Sequence, residues 1–251
     1  MPFIAETGGL NAMIADSTAL AEQVVGDVII SAFRSAGQRC SALRILALQA
    51  DSADRIIEML AGAMALLRLG DPAVLGTDVG PVIDAEALDA LDGYRDWVAA
   101  RAKLVGAVPR PSSLPRGHYF APVAFEVDWD DLPEREVFGP ILHIVRYQRG
   151  DLPRLLARLA APGYGLTLGI ASRLDSFVDE VMRTLHAGNT YVNRSMIGAA
   201  VGVQPFGGEG LSGTGFKAGG PNYLLRFALE RTLTVNTAAI GGNAALLAGD
   251  E

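Results

Sequence analysis

The stretch NAMIADSTALAEQVVGDVIISAFRSAGQRCSALRILALQ, residues 11–49, decides the fold because it alternates between two kinds of hydrophobic pattern. It opens and closes with short apolar runs, which are typical of buried strands. Between them, over residues 18–36, apolar side chains recur at helical spacing, with Asp16 at the N-cap position and Gly37 at the end. A strand, a crossover helix and a second strand normally form a parallel pair. The stretch therefore predicts an α/β fold.

The same alternation continues along the rest of the chain. Further strands are predicted over residues 2–7, 119–127, 140–148, 166–172 and 189–194, and further helices over residues 52–70, 85–102, 151–161 and 174–188. Residues 198–220 are rich in glycine, and residues 231–240 contain an isolated β-branched run. Because helices separate the strands, we expect a largely parallel sheet flanked by helices.

The composition limits the classes of function. The chain has 251 residues, a net charge of −7 and 50% hydrophobic residues, which is typical of a globular protein and unfavourable for nucleic acid binding. No apolar run reaches the ~18 residues that span a bilayer, and the N-terminus lacks a signal-peptide pattern. A single cysteine cannot form a disulfide within the chain, which favours a reducing compartment. We therefore expect a cytoplasmic protein that binds neither nucleic acid nor membrane.

The histidines and the glycine motifs exclude several kinds of site. His118, His143 and His186 show no ligand spacing to one another or to Cys40, so we expect no metal site. Neither a GxGxxG motif after a strand nor a P-loop motif is present, so the chain has no nucleotide-binding signature of that kind.

Cys40 is the first candidate for chemistry. A lone cysteine is most often a small buried hydrophobe. Cys40 instead follows the turn AGQR directly after a predicted helix, where its sulfur could be accessible and act as a nucleophile. From the residues alone both interpretations stay open.

Two carboxylates are further candidates. Glu6 ends an apolar segment in front of two glycines, which suggests either a reactive carboxylate or one that caps the next turn. Glu136 lies in REVFGPIL, where a surface turn is an equally simple explanation.

Taken together, these segments resemble the aldehyde dehydrogenase superfamily. ETGG with Glu6, GQRC with Cys40, EVFGP with Glu136 and QPFGGEGLSGTG from residue 204 occur in that family's order and spacing. The longer strings ETGGLNAMIADSTALAEQVV and NRSMIGAAVGVQPFGGEGLSGTGFKAGGPNYLLRF are similar to the L-glutamate γ-semialdehyde dehydrogenase domain of bifunctional proline-utilization A proteins.

The resemblance implies an NAD-dependent reaction with a covalent intermediate. Cys40 would attack the aldehyde carbon, and its backbone N–H would contribute to the oxyanion hole. Glu6 would act as the general base for the hydrolytic water. Glu136 would bind the nicotinamide ribose of NAD, and Phe138 would pack beside the nicotinamide.

The resemblance also implies how the small-molecule aldehyde is bound. Ser41 and the Gly198–Ala199 pair would hold the α-carboxylate of the semialdehyde, with backbone N–H groups as donors. Phe206 would form an aromatic wall over the aliphatic chain, although ordinary core packing explains an aromatic residue equally simply.

The same resemblance implies a division of the chain. Residues 1–8 would be the last strand of an otherwise missing NAD-binding domain, residues 9–227 the catalytic domain, and residues 228–251 an oligomerisation strand and tail. We expect a homo-oligomer or a partner that supplies the missing N-terminal half. The alternatives are a dehydrogenase for another acidic aldehyde, an inactive or docking fragment, and slow ester hydrolysis through Cys40 without NAD.

Overall fold

The computed structural model describes residues 3–236 and shows a mixed α/β arrangement. The strands are β1 (Asn11–Ala15), β2 (Leu43–Gln49), β3 (Lys103–Ala107), β4 (Val123–Glu126), β5 (Ile141–Tyr147), β6 (Tyr164–Gly165), β7 (Thr167–Ala171), β8 (Asn189–Val192) and β9 (Glu209–Gly210). The α-helices are α1 (Ala21–Phe33), α2 (Ala50–Leu66), α3 (Ala85–Ala99), α4 (Leu152–Ala160) and α5 (Asp175–Thr184).

The central sheet confirms the predicted parallel topology. Its strand order is β3-β4-β5-β2-β1-β7-β8, and every neighbouring pair is parallel except β3 and β4. Strands β6 and β9 form a separate antiparallel pair. All residues of β1, β2 and β7 are buried, which explains why these strands read as continuous apolar runs. Helices α1 and α2 pack against each other and against β2 and β5.

Helix α1 is shorter than the helix predicted over residues 18–36. It begins only at Ala21 because the Asp16 carboxylate caps a turn in front of it. Asp16 accepts hydrogen bonds from the backbone N–H of Thr18 at 2.8 Å and from Ser172 Oγ at 2.8 Å. The C-terminus of α1 comes early because Ser35 and Ala36 adopt left-handed backbone angles, with φ of 55° and 52°. Such angles are costly for residues with a side chain and end the α-helix.

The strand predicted over residues 2–7 is wrong for the part that the structure describes. Phe3 is 71% exposed, and residues 3–10 form only a single antiparallel bridge, between Glu6 and Gly213. No strand of the central sheet lies beside this segment, so its backbone bonds instead to the glycine-rich segment, through Thr7 N–H to the Ser212 carbonyl.

Two further predictions need correction. The helix predicted to residue 102 ends at Ala99, and β3 follows as an edge strand that the sequence analysis missed. Only β4 pairs with β3, which is mostly exposed, so its residues lack the apolar pattern of a buried strand. In the oligomerisation strand predicted within residues 228–251, residues 228–236 have no regular structure, and residues 237–251 lie outside the described part.

Candidate active site

The candidate catalytic residues meet at the N-terminal edge of the parallel strands. Glu6 precedes β1, Cys40 precedes β2 and Glu136 precedes β5. Because these strands run parallel as neighbours in the sheet, the segments that enter them lie at one edge. We name two of these segments the Cys40 loop, residues 37–42, and the Glu136 loop, residues 136–140.

The Cys40 loop is held by polar groups at the start of two strands. Asn11, the first residue of β1, donates from Nδ2 to the carbonyls of Cys40 at 2.6 Å and Ala42 at 2.8 Å. Thr167, the first residue of β7, donates from Oγ1 to the Ser41 carbonyl at 3.2 Å. Thr167 also donates its N–H to Asn11 Oδ1 at 3.1 Å. The backbone from Cys40 to Ala42 is therefore fixed to the sheet.

Two glycines allow the Glu136 carboxylate to approach this edge. Glu136 Oε2 accepts from the Gly9 N–H at 3.1 Å, and Oε1 accepts from Arg44 Nη2 at 2.8 Å. At Gly8, where φ is 138°, a Cβ would lie 2.4 Å from Oε2. At Gly9 a Cβ would lie 2.6 Å from the Cys40 carbonyl oxygen. The double glycine behind Glu6 is thus required for close packing around Glu136 and Cys40.

The environment of Cys40 keeps its half-buried thiol protonated. Burial raises the pKa of Cys40, and the charges of Glu136 and Glu6 raise it further. The backbone N–H groups of Ser41 and Cys40 act in the opposite direction and lower the pKa. A base or an added positive charge is therefore needed to populate the thiolate at neutral pH.

Glu6 is an exposed residue whose carboxyl is partly shielded by the protein. This shielding raises its pKa, and the Lys217 ammonium partly offsets the shift. A carboxylate with a raised pKa close to a thiol is suited to accept a proton.

The residues expected to bind the substrate lie in different environments. Ser41 is buried in the Cys40 loop. Gly198 and Ala199 are exposed, and the Gly198 carbonyl accepts from Tyr191 Oη at 3.0 Å. Phe206 is half-buried and forms an antiparallel bridge with Ala218. The described contacts connect neither Gly198 nor Phe206 directly to Cys40.

Glu136 and Phe138, the residues expected to bind the cofactor, keep groups that a ligand could contact. The Glu136 carboxylate uses one bond per oxygen, and its remaining lone pairs can accept from ribose hydroxyls. Phe138 is 48% exposed, and its ring lies 5.5 Å from Arg44 Cζ, so one face is open to a planar ligand.

Sequence analysis missed three polar residues of this site: Arg44, Asn11 and Lys217. Arg44 is the lone charge within the apolar run LRILAL, which is a signal that could have been recognised. Asn11 similarly opens a buried strand directly after the double glycine. Lys217 carries no such signal, because its partners lie far away in sequence, at Gly188, Asn189 and Gly207.

Comparison with known proteins agrees with the motifs at this edge. The model of the aldehyde dehydrogenase family matches residues 1–233. This chain belongs to the aldehyde dehydrogenase family. It is 53% identical over 236 residues to the bifunctional protein PutA of Escherichia coli (strain K12), and the alignment covers 92% of this chain and 18% of that protein.

Solved aldehyde dehydrogenase structures share the fold. A variant of Bradyrhizobium japonicum proline utilization A matches with a TM-score of 0.90 and 57% identity, over 96% of this chain and 24% of that one. A 1-pyrroline-5-carboxylate dehydrogenase from Thermus with bound NAD matches with a TM-score of 0.80 and 35% identity, over 89% and 43% of the two chains. The chain thus spans only part of the length of each of these relatives.

Residues 3–236 of this aldehyde dehydrogenase chain show neither a metal cluster nor a membrane-spanning helix. Within that range no group of three or more histidine, cysteine or acidic side chains is arranged to hold a metal ion. None of the helices described there has the length and apolar character needed to cross a membrane.

Proposed function

We propose that this chain supplies the thiol chemistry of an enzyme that oxidises L-glutamate γ-semialdehyde to L-glutamate with NAD. The observation that carries the proposal is the half-buried Cys40 thiol, on a backbone that Asn11 and Thr167 hold through hydrogen bonds, within electrostatic reach of Glu6 and Glu136. Its similarity to PutA and to a 1-pyrroline-5-carboxylate dehydrogenase supports the choice of substrate.

The first step forms a bond between sulfur and carbon. The Cys40 thiol loses its proton to a base, for which Glu6 is our candidate, and the thiolate attacks the aldehyde carbon to give a thiohemiacetal. The backbone N–H groups of Cys40 and Ser41 lower the pKa of the thiol, so they favour negative charge on its sulfur.

The second step hydrolyses the thioester that remains after oxidation. Bound NAD supplies the acceptor for the hydride and its two electrons. Glu6, after it has released the Cys40 proton to solvent, takes a proton from water; the hydroxide oxygen attacks the thioester carbon, and the Cys40 sulfur leaves with the bonding electrons. The partial shielding that raises the pKa of Glu6 suits it to this role.

The binding residues complete the proposal. Glu136 would accept hydrogen bonds from the nicotinamide ribose, and Phe138 would pack on the nicotinamide ring. Ser41, Gly198 and Ala199 would hold the substrate carboxylate, and Phe206 would cover its aliphatic chain. The remainder of the NAD pocket would come from a further domain, and residues 228–251 would mediate oligomerisation.

The test measures oxidation and thiol chemistry separately in the purified chain. NADH formation is followed with NAD and Δ1-pyrroline-5-carboxylate, and hydrolysis of p-nitrophenyl acetate is followed without NAD. We expect Cys40→Ala to abolish both activities. We expect Glu6→Gln to slow both by roughly 10²-fold or more, which is the usual contribution of a general base.

The matched control is Glu209→Gln, which removes another exposed carboxylate. Like Glu6, Glu209 raises the pKa of Lys217 through its negative charge. This control should retain both activities. Ester hydrolysis without NADH would favour thiol chemistry that needs a further domain for cofactor binding. Activity that survives in Cys40→Ala would contradict the proposal.

A further inference from the structure

Arg44 is a buried arginine that connects two loops of the site. Its side chain is 1% exposed, and burying a guanidinium is costly unless its charge and donors are matched. It donates to Glu136 Oε1 at 2.8 Å and to the carbonyls of Gly37 at 2.8 Å, Gly139 at 2.9 Å and Arg39 at 3.1 Å. Arg44 is therefore bonded to both the Cys40 loop and the Glu136 loop.

The shape of the guanidinium matters for this connection. Nη1 bonds to one carbonyl from each loop, and Nη2 bonds to Arg39 and to the Glu136 carboxylate. Such a planar fork fixes directions that a lysine ammonium would not. Within residues 3–236, the Nε of Arg44 is buried without an acceptor, so the Nη bonds alone orient the group.

Arg44 also offsets negative charge near the Cys40 thiol. Glu136 and Glu6 both act to keep the thiol protonated. Two other cations lie nearby but interact with other groups. Arg39 donates to Ser35 Oγ at 3.0 Å, and the charge of Lys217 lowers the pKa of Glu6. Arg44 is the cation paired with Glu136, and its own pKa, lowered by burial, is raised by the charges of Glu136 and Cys40.

We infer that Arg44 is a positioning residue that holds the Glu136 loop against the Cys40 loop and neutralises Glu136 beside the thiol. The inference rests on the proposed function, since it concerns the same nucleophile. Without Arg44, the full charge of Glu136 would act on Cys40 and disfavour its thiolate.

The test is the pH dependence of iodoacetamide alkylation, read by intact mass, which reports Cys40 alone because the chain has one cysteine. We expect Arg44→Met to move the alkylation midpoint to higher pH by about one unit, which is about tenfold slower alkylation at pH 7. Glu136→Gln should move the midpoint to lower pH. The double variant Arg44→Met/Glu136→Gln should lose the upward shift. Arg44→Lys, which keeps the charge but not the planar fork, should move the midpoint less than Arg44→Met does.

Circular dichroism establishes which variants are folded. A folded Arg44→Met chain with an unchanged midpoint would overturn the inference, as would an upward shift that persists undiminished in the double variant. If Arg44→Met does not fold, Glu136→Gln decides, because an unchanged midpoint there excludes coupling between that charge and the thiol. Alkylation needs neither NAD nor aldehyde, so activity that survives in Cys40→Ala would contradict the proposed function without affecting this result.

Discussion

At the scale of single residues, His143 is buried and neutral. Its side chain is 1% exposed, and its Nδ1 donates to the Arg44 carbonyl at 3.1 Å, so its Nε2 accepts from Tyr94 Oη at 2.9 Å. Burial lowers the pKa of His143 to about 4, and the positive charge of Arg44 also lowers it. A histidine that showed no ligand spacing in the sequence therefore supports the backbone of Arg44 beneath the site.

His143 should make stability depend on pH. Its ordinary pKa of 6.5 falls to about 4 in the folded chain, so only the unfolded chain takes up a proton between these values. The free energy of unfolding is therefore independent of His143 protonation above pH 6.5. It decreases as the pH falls towards 4, by up to ~1.4 kcal/mol per pH unit. We expect His143→Gln to flatten this slope in urea unfolding measured across the interval.

The control for this slope is His186→Gln, which removes an exposed histidine. It should leave the pH dependence of the unfolding free energy unchanged. A slope that is equally steep in His143→Gln would show that other groups account for the acid sensitivity.

At the scale of secondary structure, the end of helix α1 places Cys40. Ser35, Ala36 and Gly37 adopt left-handed angles in succession, with φ of 63° at Gly37. This turn directs the chain from α1 into the Cys40 loop. A Cβ at Gly37 would lie 2.5 Å from the Gly139 carbonyl oxygen, so a side chain here would separate the two loops.

Gly37→Ala should destabilise the chain. The left-handed angle alone costs roughly 1–2 kcal/mol, and the contact with a backbone oxygen adds to that cost. Gly62→Ala is the matched control, since Gly62 lies within helix α2 with nothing within 4 Å of its added Cβ. That control should gain about 0.5–1 kcal/mol. Thermal unfolding measures both, and equal stability of the two variants would contradict the role of the turn.

At the scale of the whole molecule, Lys217 connects the glycine-rich segment to the sheet. Its Nζ donates to the carbonyls of Gly188 and Gly207 and to Asn189 Oδ1, and Asn189 is the first residue of β8. Burial lowers the pKa of Lys217, and the charges of Glu209 and Glu6 raise it. The ammonium thus joins parts of the chain that are distant in sequence.

Lys217→Met should loosen residues 204–220 while leaving the sheet intact. The variant keeps the apolar stem but removes the donor from three oxygen acceptors, at a cost of about 1–3 kcal/mol. We expect faster amide hydrogen exchange in this segment, measured by mass spectrometry. Lys103→Met, at a side chain that is 76% exposed, is the control and should exchange at the original rate. Unchanged exchange in Lys217→Met would show that the Lys217 ammonium does not hold the glycine-rich segment against the sheet.

Local sequence patterns were sufficient to predict the fold class and the family. Alternating apolar runs and helical spacing depend on neighbouring residues, so they predicted strands β1, β2, β4, β5, β7 and β8 and all five helices, with errors mainly at the ends. The motifs around Glu6, Cys40 and Glu136 indicated the aldehyde dehydrogenase family, since each motif consists of consecutive residues and can be recognised without the structure.

Which residues lie side by side depends on long-range contacts that no local pattern predicts. The parallel register brings Asn11 opposite Leu43 and so places the segments before β1 and β2 side by side. The pairing of Arg44 with Glu136, 92 positions away, has no local pattern to predict it. Residues 3–7 failed as a strand for a related reason: an apolar string becomes a strand only where another strand is available to bond to its backbone. Local patterns specify what an element can be, whereas contacts between distant residues decide where its side chains act.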